Sequence, residues 1–125
     1  MEDKIVVDGL TFVPYLHREE IADQVKRVAS EIKRDFEGKR PIFLCVLNGA
    51  FIFAADLIRE AGINDASICF VKYTSYEGTS SSGRIKEMMG LTADIEGRDV
   101  VIVEDIVDTG LTASYMINDL KRRNP

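Results

Sequence analysis

The sequence predicts an α/β domain, a parallel sheet covered by helices. Three observations carry that expectation. Short apolar runs at 42–47, 67–73 and 100–103 have the length and continuity of strands buried on both faces. Longer stretches at 17–36, 50–60 and 111–123 carry apolar residues at helical spacing. The two kinds of segment alternate along the chain, as strand–helix–strand units do. A length of 125 residues suits one domain, 1–125, whose single core can bury roughly two-thirds of the unfolded surface.

Residues 4–13, KIVVDGLTFV, predict two short strands joined at Asp8-Gly9, because an Asp-Gly pair suits a two-residue type I′ turn. Over 17–36, Ile21, Val25, Val28, Ile32 and Phe36 fall on one helical face and charged residues on the other. Gly38 is a stop signal. Pro41 then leads into the first core strand, 42–47, which Asn48-Gly49 breaks. A helix is expected over 50–60, AFIFAADLIRE, closed by Gly62.

The second core strand, SICFVKY, spans 67–73. The stretch 76–90 that follows contains GTSSSG, which has nothing to pack, and is expected to be a flexible loop. A polar turn at 94–99 precedes the third strand, 100–103. A helix is expected from 111 to 123, with Ala113, Met116, Ile117 and Leu120 on one face and Asn124-Pro125 as its stop.

Composition narrows the function classes. Apolar content of 46% and charged content of 30% are ordinary for a soluble globular protein. A formal net charge of −5 argues against a nucleic-acid partner. Small anionic ligands stay open, since local amides and a few cations hold them. No apolar run reaches the roughly 18 residues of a membrane span, and the N-terminus lacks a signal-peptide layout. The cytoplasm is therefore expected. Cys45 and Cys69 each sit inside an apolar run and are expected to be buried core thiols. His17, the single histidine, lies near a helix start and is expected to be a surface residue without a catalytic role.

The chemistry concentrates in VVIVEDIVDTGLT, residues 100–112. Glu104 and Asp105 stand at the carboxyl end of a buried strand, which is where open α/β sheets bind ligands. The turn Asp108-Thr109-Gly110-Leu111-Thr112 then enters a helix. Amides at a helix N-terminus favour phosphate. Gly110 lets backbone approach closely, and Thr109 and Thr112 add hydroxyl donors. The acids would repel that phosphate, so they need sugar hydroxyls or a divalent cation as partners. A polar strand end with Asp108 as a helix cap is the plain alternative. Neither GxxxxGK[ST] nor GxGxxG occurs, so a P-loop and a dinucleotide fingerprint are not supported.

This segment closely resembles the signature with which type I phosphoribosyltransferases bind phosphoribosyl pyrophosphate (PRPP), and within that family the hypoxanthine-guanine branch. Two further stretches share the resemblance. Leu47-Asn48-Gly49, within CVLNGAF, resembles the pyrophosphate loop, with Asn48 where the family often has Lys. Ser75-Tyr76 resembles the dipeptide on the flexible lid that closes over the site. The resemblance implies the Rossmann-like phosphoribosyltransferase sheet flanked by helices. It implies transfer of the phosphoribosyl group from PRPP to hypoxanthine or guanine, giving IMP or GMP and pyrophosphate.

By the same resemblance Glu104 and Asp105 hold the ribose and, indirectly, Mg2+. Asp108 handles a proton of the purine and is the catalytic residue. Residues 108–112 grip the 5′-phosphate, with Leu111 where many relatives carry Lys. A homodimer or homotetramer is implied, with neither nucleic acid nor membrane as partner. Family members continue with more C-terminal strands, which supply the purine pocket and cover the strand at 100–103. Their absence is expected to leave this chain with little turnover. A PRPP-binding regulatory module of the same fold, another purine preference and a non-catalytic fragment stay open.

Overall fold

Both faces of strand β3 (Ile42–Leu47) are apolar, and the domain is built on that fact. The structure, a computed structural model, describes residues 4–75, 85–107 and 110–125. Side chains alternate across a strand. Ile42, Leu44 and Val46 therefore enter one cluster with Val71, Leu91, Ile95, Met116 and Leu120. Phe43 and Cys45 enter another with Ala29, Ala54, Leu57, Ala61 and Val103. Two cores on opposite faces need helices on both sides. Helices α1 (Arg18–Phe36) and α2 (Phe51–Ala61) cover the second cluster, and α3 (Leu111–Lys121) covers the first.

The sheet order is β5-β4-β3-β6, with β4 at Ser67–Ser75, β5 at Ile85–Met89 and β6 at Val100–Val103. Strands β4 and β6 run parallel to β3, while β5 is antiparallel to β4. The sheet is thus mostly parallel, with one antiparallel edge. That edge corrects the expectation of a loop throughout 76–90. Residues 85–89 pair with β4 as Tyr73↔Glu87, Thr74↔Lys86 and Ser75↔Ile85. The sequence IKEMM does not announce a strand because four of its five residues are exposed. Its extended form comes from the edge hydrogen bonds that β4 offers. The remaining loop residues, 76–84, lie outside the described residues.

The strand register places the ends that matter. Ile42 pairs with Val100 and Cys45 with Val103, so β3 and β6 finish side by side. The Arg98 guanidinium donates to the Arg40 carbonyl at 3.0 and 2.8 Å, holding the entries to these strands together. Among the described residues β6 pairs on one side only and forms the other edge of the sheet.

The N-terminal hairpin forms as expected. Strands β1 (Ile5–Val7) and β2 (Leu10–Phe12) pair in a sheet of their own. Asp8 and Gly9 have φ of 50° and 76°, the positive pair that a type I′ turn requires. The α1 stripe packs against the core through half-buried Val25, Val28 and Ile32, but Ile21, on the first helical turns, remains half exposed. Cys45 is buried, whereas Cys69 is only half-buried. β5 pairs with β4 only from Lys72 onward, so the outer side of Cys69 lacks a strand neighbour among the described residues. His17 is exposed and precedes α1; its backbone N–H donates to Glu20 at 3.3 Å.

Candidate functional site

Parallel pairing brings the loop after β3 and the loop after β6 to the same end of the sheet. Leu47 closes β3, and the Leu47–Asn48 peptide is cis. Asn48 and Gly49 are exposed, while Ala50 is fully buried at the start of α2. The Phe51 N–H donates to the Asn48 carbonyl at 3.2 Å, which closes the turn. Across from it, Val103 ends β6 and Glu104-Asp105 follows.

The two loops meet at Gly49 and Asp105. A Cβ on Gly49 would stand 3.1 Å from the Asp105 Cγ and would overlap its Oδ2. Glycine at this position is what allows the carboxylate to sit against the 47–49 turn. The backbone orders the pair as well. The Asp105 N–H donates to Glu104 Oε1 at 3.0 Å, and the Ile106 N–H donates to Asp105 Oδ1 at 2.9 Å.

The acids differ in environment. Glu104 is half-buried; loss of solvent pushes its carboxyl above the usual glutamate range, and Asp105 beside it adds to the shift. Asp105 is exposed. The hydrogen bond from Glu104, and then that from the Ile106 amide, hold its carboxyl below the usual aspartate range. A cation or a sugar diol would meet both carboxyls side by side at this strand end.

Helix α3 starts at Leu111, eight positions after β6 ends at Val103. Gly110 precedes it with φ of 85° and accepts from the Ser114 N–H at 2.8 Å. That is a left-handed conformation few other residues adopt readily. Leu111 is exposed and Thr112 half-buried.

Of the residues singled out from sequence, Leu47 ends β3, Asn48, Gly49, Glu104 and Asp105 lie on the two loops, and Gly110, Leu111 and Thr112 lie at the helix start just described. Ser75 ends β4 and pairs with Ile85. Asp108, Thr109 and Tyr76 lie outside the described residues. Sequence reasoning missed the spacing role of Gly49 toward Asp105. Its only local signal was a glycine directly after a strand-ending turn, and the partner is 56 residues away in the chain.

Among the described residues no group of three or more His, Cys, Asp or Glu side chains could cage a metal ion. Two carboxylates at one strand end suit instead an ion carried mainly by water and by a bound phosphate. Hollows of about 660 and 650 Å3 lie along α1 and α2, lined by Ile21 and Val25 among others, and share no residue with these loops.

A model of the phosphoribosyl transferase domain matches residues 14–125. The chain belongs to the phosphoribosyltransferase family. A hypoxanthine-guanine-xanthine phosphoribosyltransferase of Tritrichomonas foetus is 37% identical over 128 residues, covering 100% of this chain and 67% of that protein. A hypoxanthine-guanine phosphoribosyltransferase of Dictyostelium discoideum is 40% identical, covering 85% of this chain and 61% of that protein. Among solved structures, a hypoxanthine-guanine phosphoribosyltransferase of Bacillus anthracis superposes with a TM-score of 0.80 at 38% identity, covering 88% of this chain and 65% of that one. The chain thus spans between 61% and 67% of the length of these three relatives. Among the described residues no helix is long and apolar enough to cross a membrane.

Proposed function

We propose that this chain carries the PRPP-binding part of a hypoxanthine-guanine phosphoribosyltransferase that acts in purine salvage. The observation that carries the reading is the seating of Asp105 against Gly49, which joins the acid pair to the 47–49 turn at one end of the sheet. Relatives 37% and 40% identical that bear this activity support it.

In this reading residues 108–112 hold the 5′-phosphate, with the amides at the start of α3 among the donors. Glu104 and Asp105 accept hydrogen bonds from the ribose hydroxyls. Leu47, Asn48 and Gly49 face the pyrophosphate, with backbone amides and the Asn48 amide as donors. A purine ring nitrogen forms the new bond to C1 of PRPP, and the C1–O bond to pyrophosphate breaks with its electron pair on pyrophosphate. The nitrogen's proton leaves to Asp108. The sugar passes through oxocarbenium character, so positioning and electrostatics are the protein's main contribution. Ser75 and Tyr76 belong to the segment that excludes water from that cation.

Mg2+ bound to the pyrophosphate would neutralise the leaving group. Glu104 and Asp105 would orient it indirectly, which suits a pair of acids that forms no cage. PRPP and a purine base are the partners, and the assembly is a homodimer or homotetramer.

Calorimetric titration with PRPP, with Mg2+ and with EDTA, tests the binding reading. Tight binding only with Mg2+ is expected; equal affinity in both removes the metal's part. Steady-state assays with hypoxanthine, guanine and xanthine test the transfer, and absence of turnover with all three leaves a binding module without catalysis.

A further inference from the structure

Tyr115 lies on α3 five positions after Gly110, and its side chain reaches across to the two strands at the far edge of the sheet. Its hydroxyl donates to Glu87 Oε1 on β5 at 3.2 Å. Its ring meets Tyr73 on β4 edge-on, with centroids 5.6 Å apart and planes at 70°. Tyr73 and Glu87 are themselves cross-strand partners. One side chain of α3 is thereby held by both strands of the antiparallel pair.

The apolar contacts of α3 cannot do this work alone. Met116 and Leu120 press the helix onto the sheet, but dispersion is non-directional and tolerates sliding and rotation. A hydrogen bond and an edge-to-face ring contact both fix direction. The other end of the helix is tied in the same manner. Arg123 Nη1 donates to the Leu91 carbonyl at 3.0 Å, and the Gly97 N–H donates to the Asn124 carbonyl at 2.8 Å. Tyr115 is the corresponding tie near the N-terminal end, within about one and a half turns of the first helical residue. Anion binding by helix amides depends on where those amides point.

We infer that Tyr115, with Glu87 as its acceptor, is a positioning residue for the phosphate-binding start of α3. It acts by fixing the rotation and axial position of the helix against β4 and β5. The inference rests on the proposed function, in which residues 108–112 hold a 5′-phosphate and residues 47–49 hold pyrophosphate.

Two ligands separate positioning from general stability. Ribose 5-phosphate reads the start of α3, and pyrophosphate with Mg2+ reads the 47–49 turn. Titrations of the 125-residue chain and of Tyr115→Phe, Glu87→Leu and Glu87→Gln with each ligand make the test. Tyr115→Phe keeps the ring and loses the hydroxyl. It is expected to weaken ribose 5-phosphate roughly three- to tenfold, the worth of one hydrogen bond, and to leave pyrophosphate unchanged. Glu87→Leu should reproduce that pattern. Glu87→Gln should retain most of the affinity, because an amide oxygen still accepts. Unchanged ribose 5-phosphate binding in Tyr115→Phe, or an equal loss for both ligands, overturns the inference and leaves the proposed function standing. A parent chain that binds neither ligand overturns both.

Discussion

The carboxylate of Asp105 occupies the space beside Gly49 that a Cβ would need, with its Cγ 3.1 Å from where that atom would stand. Gly49 follows β3 and Asp105 follows β6, so the contact exists only because these strands are parallel neighbours. It ties the turn proposed for pyrophosphate to an acid proposed for the ribose. Gly49→Ala should therefore turn the Asp105 carboxylate away. That side chain is exposed and can turn toward solvent, so the fold should lose less than about 1 kcal/mol. Affinity for PRPP with Mg2+ should fall roughly tenfold, about 1.4 kcal/mol. Thermal melts and calorimetry measure the two effects, and unchanged affinity would show that the Asp105 orientation does not matter.

Glu104 offers a test through pH. Burial, and then Asp105, raise its carboxyl above the ordinary value of 4.5. A raised acid favours the folded state while it is protonated. That contribution is complete below the unfolded value and is lost as pH rises through the folded one. At neutral pH the charge on Glu104 thus opposes folding when no ligand is bound. Glu104→Gln should melt higher than the parent at pH 7 without Mg2+ or PRPP, and the gap should close as pH falls below 4.5. With PRPP and Mg2+ added the order should reverse, because the parent gains more from its ligand. A gap independent of pH would remove Glu104 ionisation from the account.

Asp108 is proposed to take the purine's proton. Asp108→Asn is nearly isosteric, so PRPP binding should survive. Turnover with hypoxanthine, in a form of the protein that turns over, should drop by roughly 10²–10⁴. Steady-state kinetics check this, and an unchanged rate would take Asp108 out of the mechanism.

Phe43 tests the fold rather than the site. It is fully buried on the face of β3 that α1 and α2 cover. Phe43→Ala should cost about 3–5 kcal/mol, since a cavity is left in addition to the lost transfer energy. Urea denaturation followed by circular dichroism measures it. A loss below about 1 kcal/mol would mean that the helices collapse onto the gap.

Much of the fold was legible in the residues themselves. The run Ile42–Leu47 reads as a strand buried on both faces, and it is one. The helical spacing of Val25, Val28 and Ile32 reads as a core face, and it packs there. Asp8-Gly9 reads as a tight hairpin turn and adopts the two positive φ angles. These are local matters of period, burial and turn chemistry, and a single segment contains all the information they need. The acid pair and the glycine turn at Gly110 were legible for the same reason, because a strand end running into a helix is a contiguous motif.

What tertiary structure alone decided is everything that depends on which strand lies beside which. IKEMM becomes β5 because β4 presents an edge to it, not through any pattern of its own. Cys69 is half-buried because that pairing begins only at Lys72. Glu87 meets Tyr115, and Gly49 meets Asp105, across 28 and 56 positions of chain. Sequence periodicity assigns a residue to a face, but sheet order and register assign it a neighbour. Those are set by the packing of all elements together, so these contacts could be named only once the strands had been ordered.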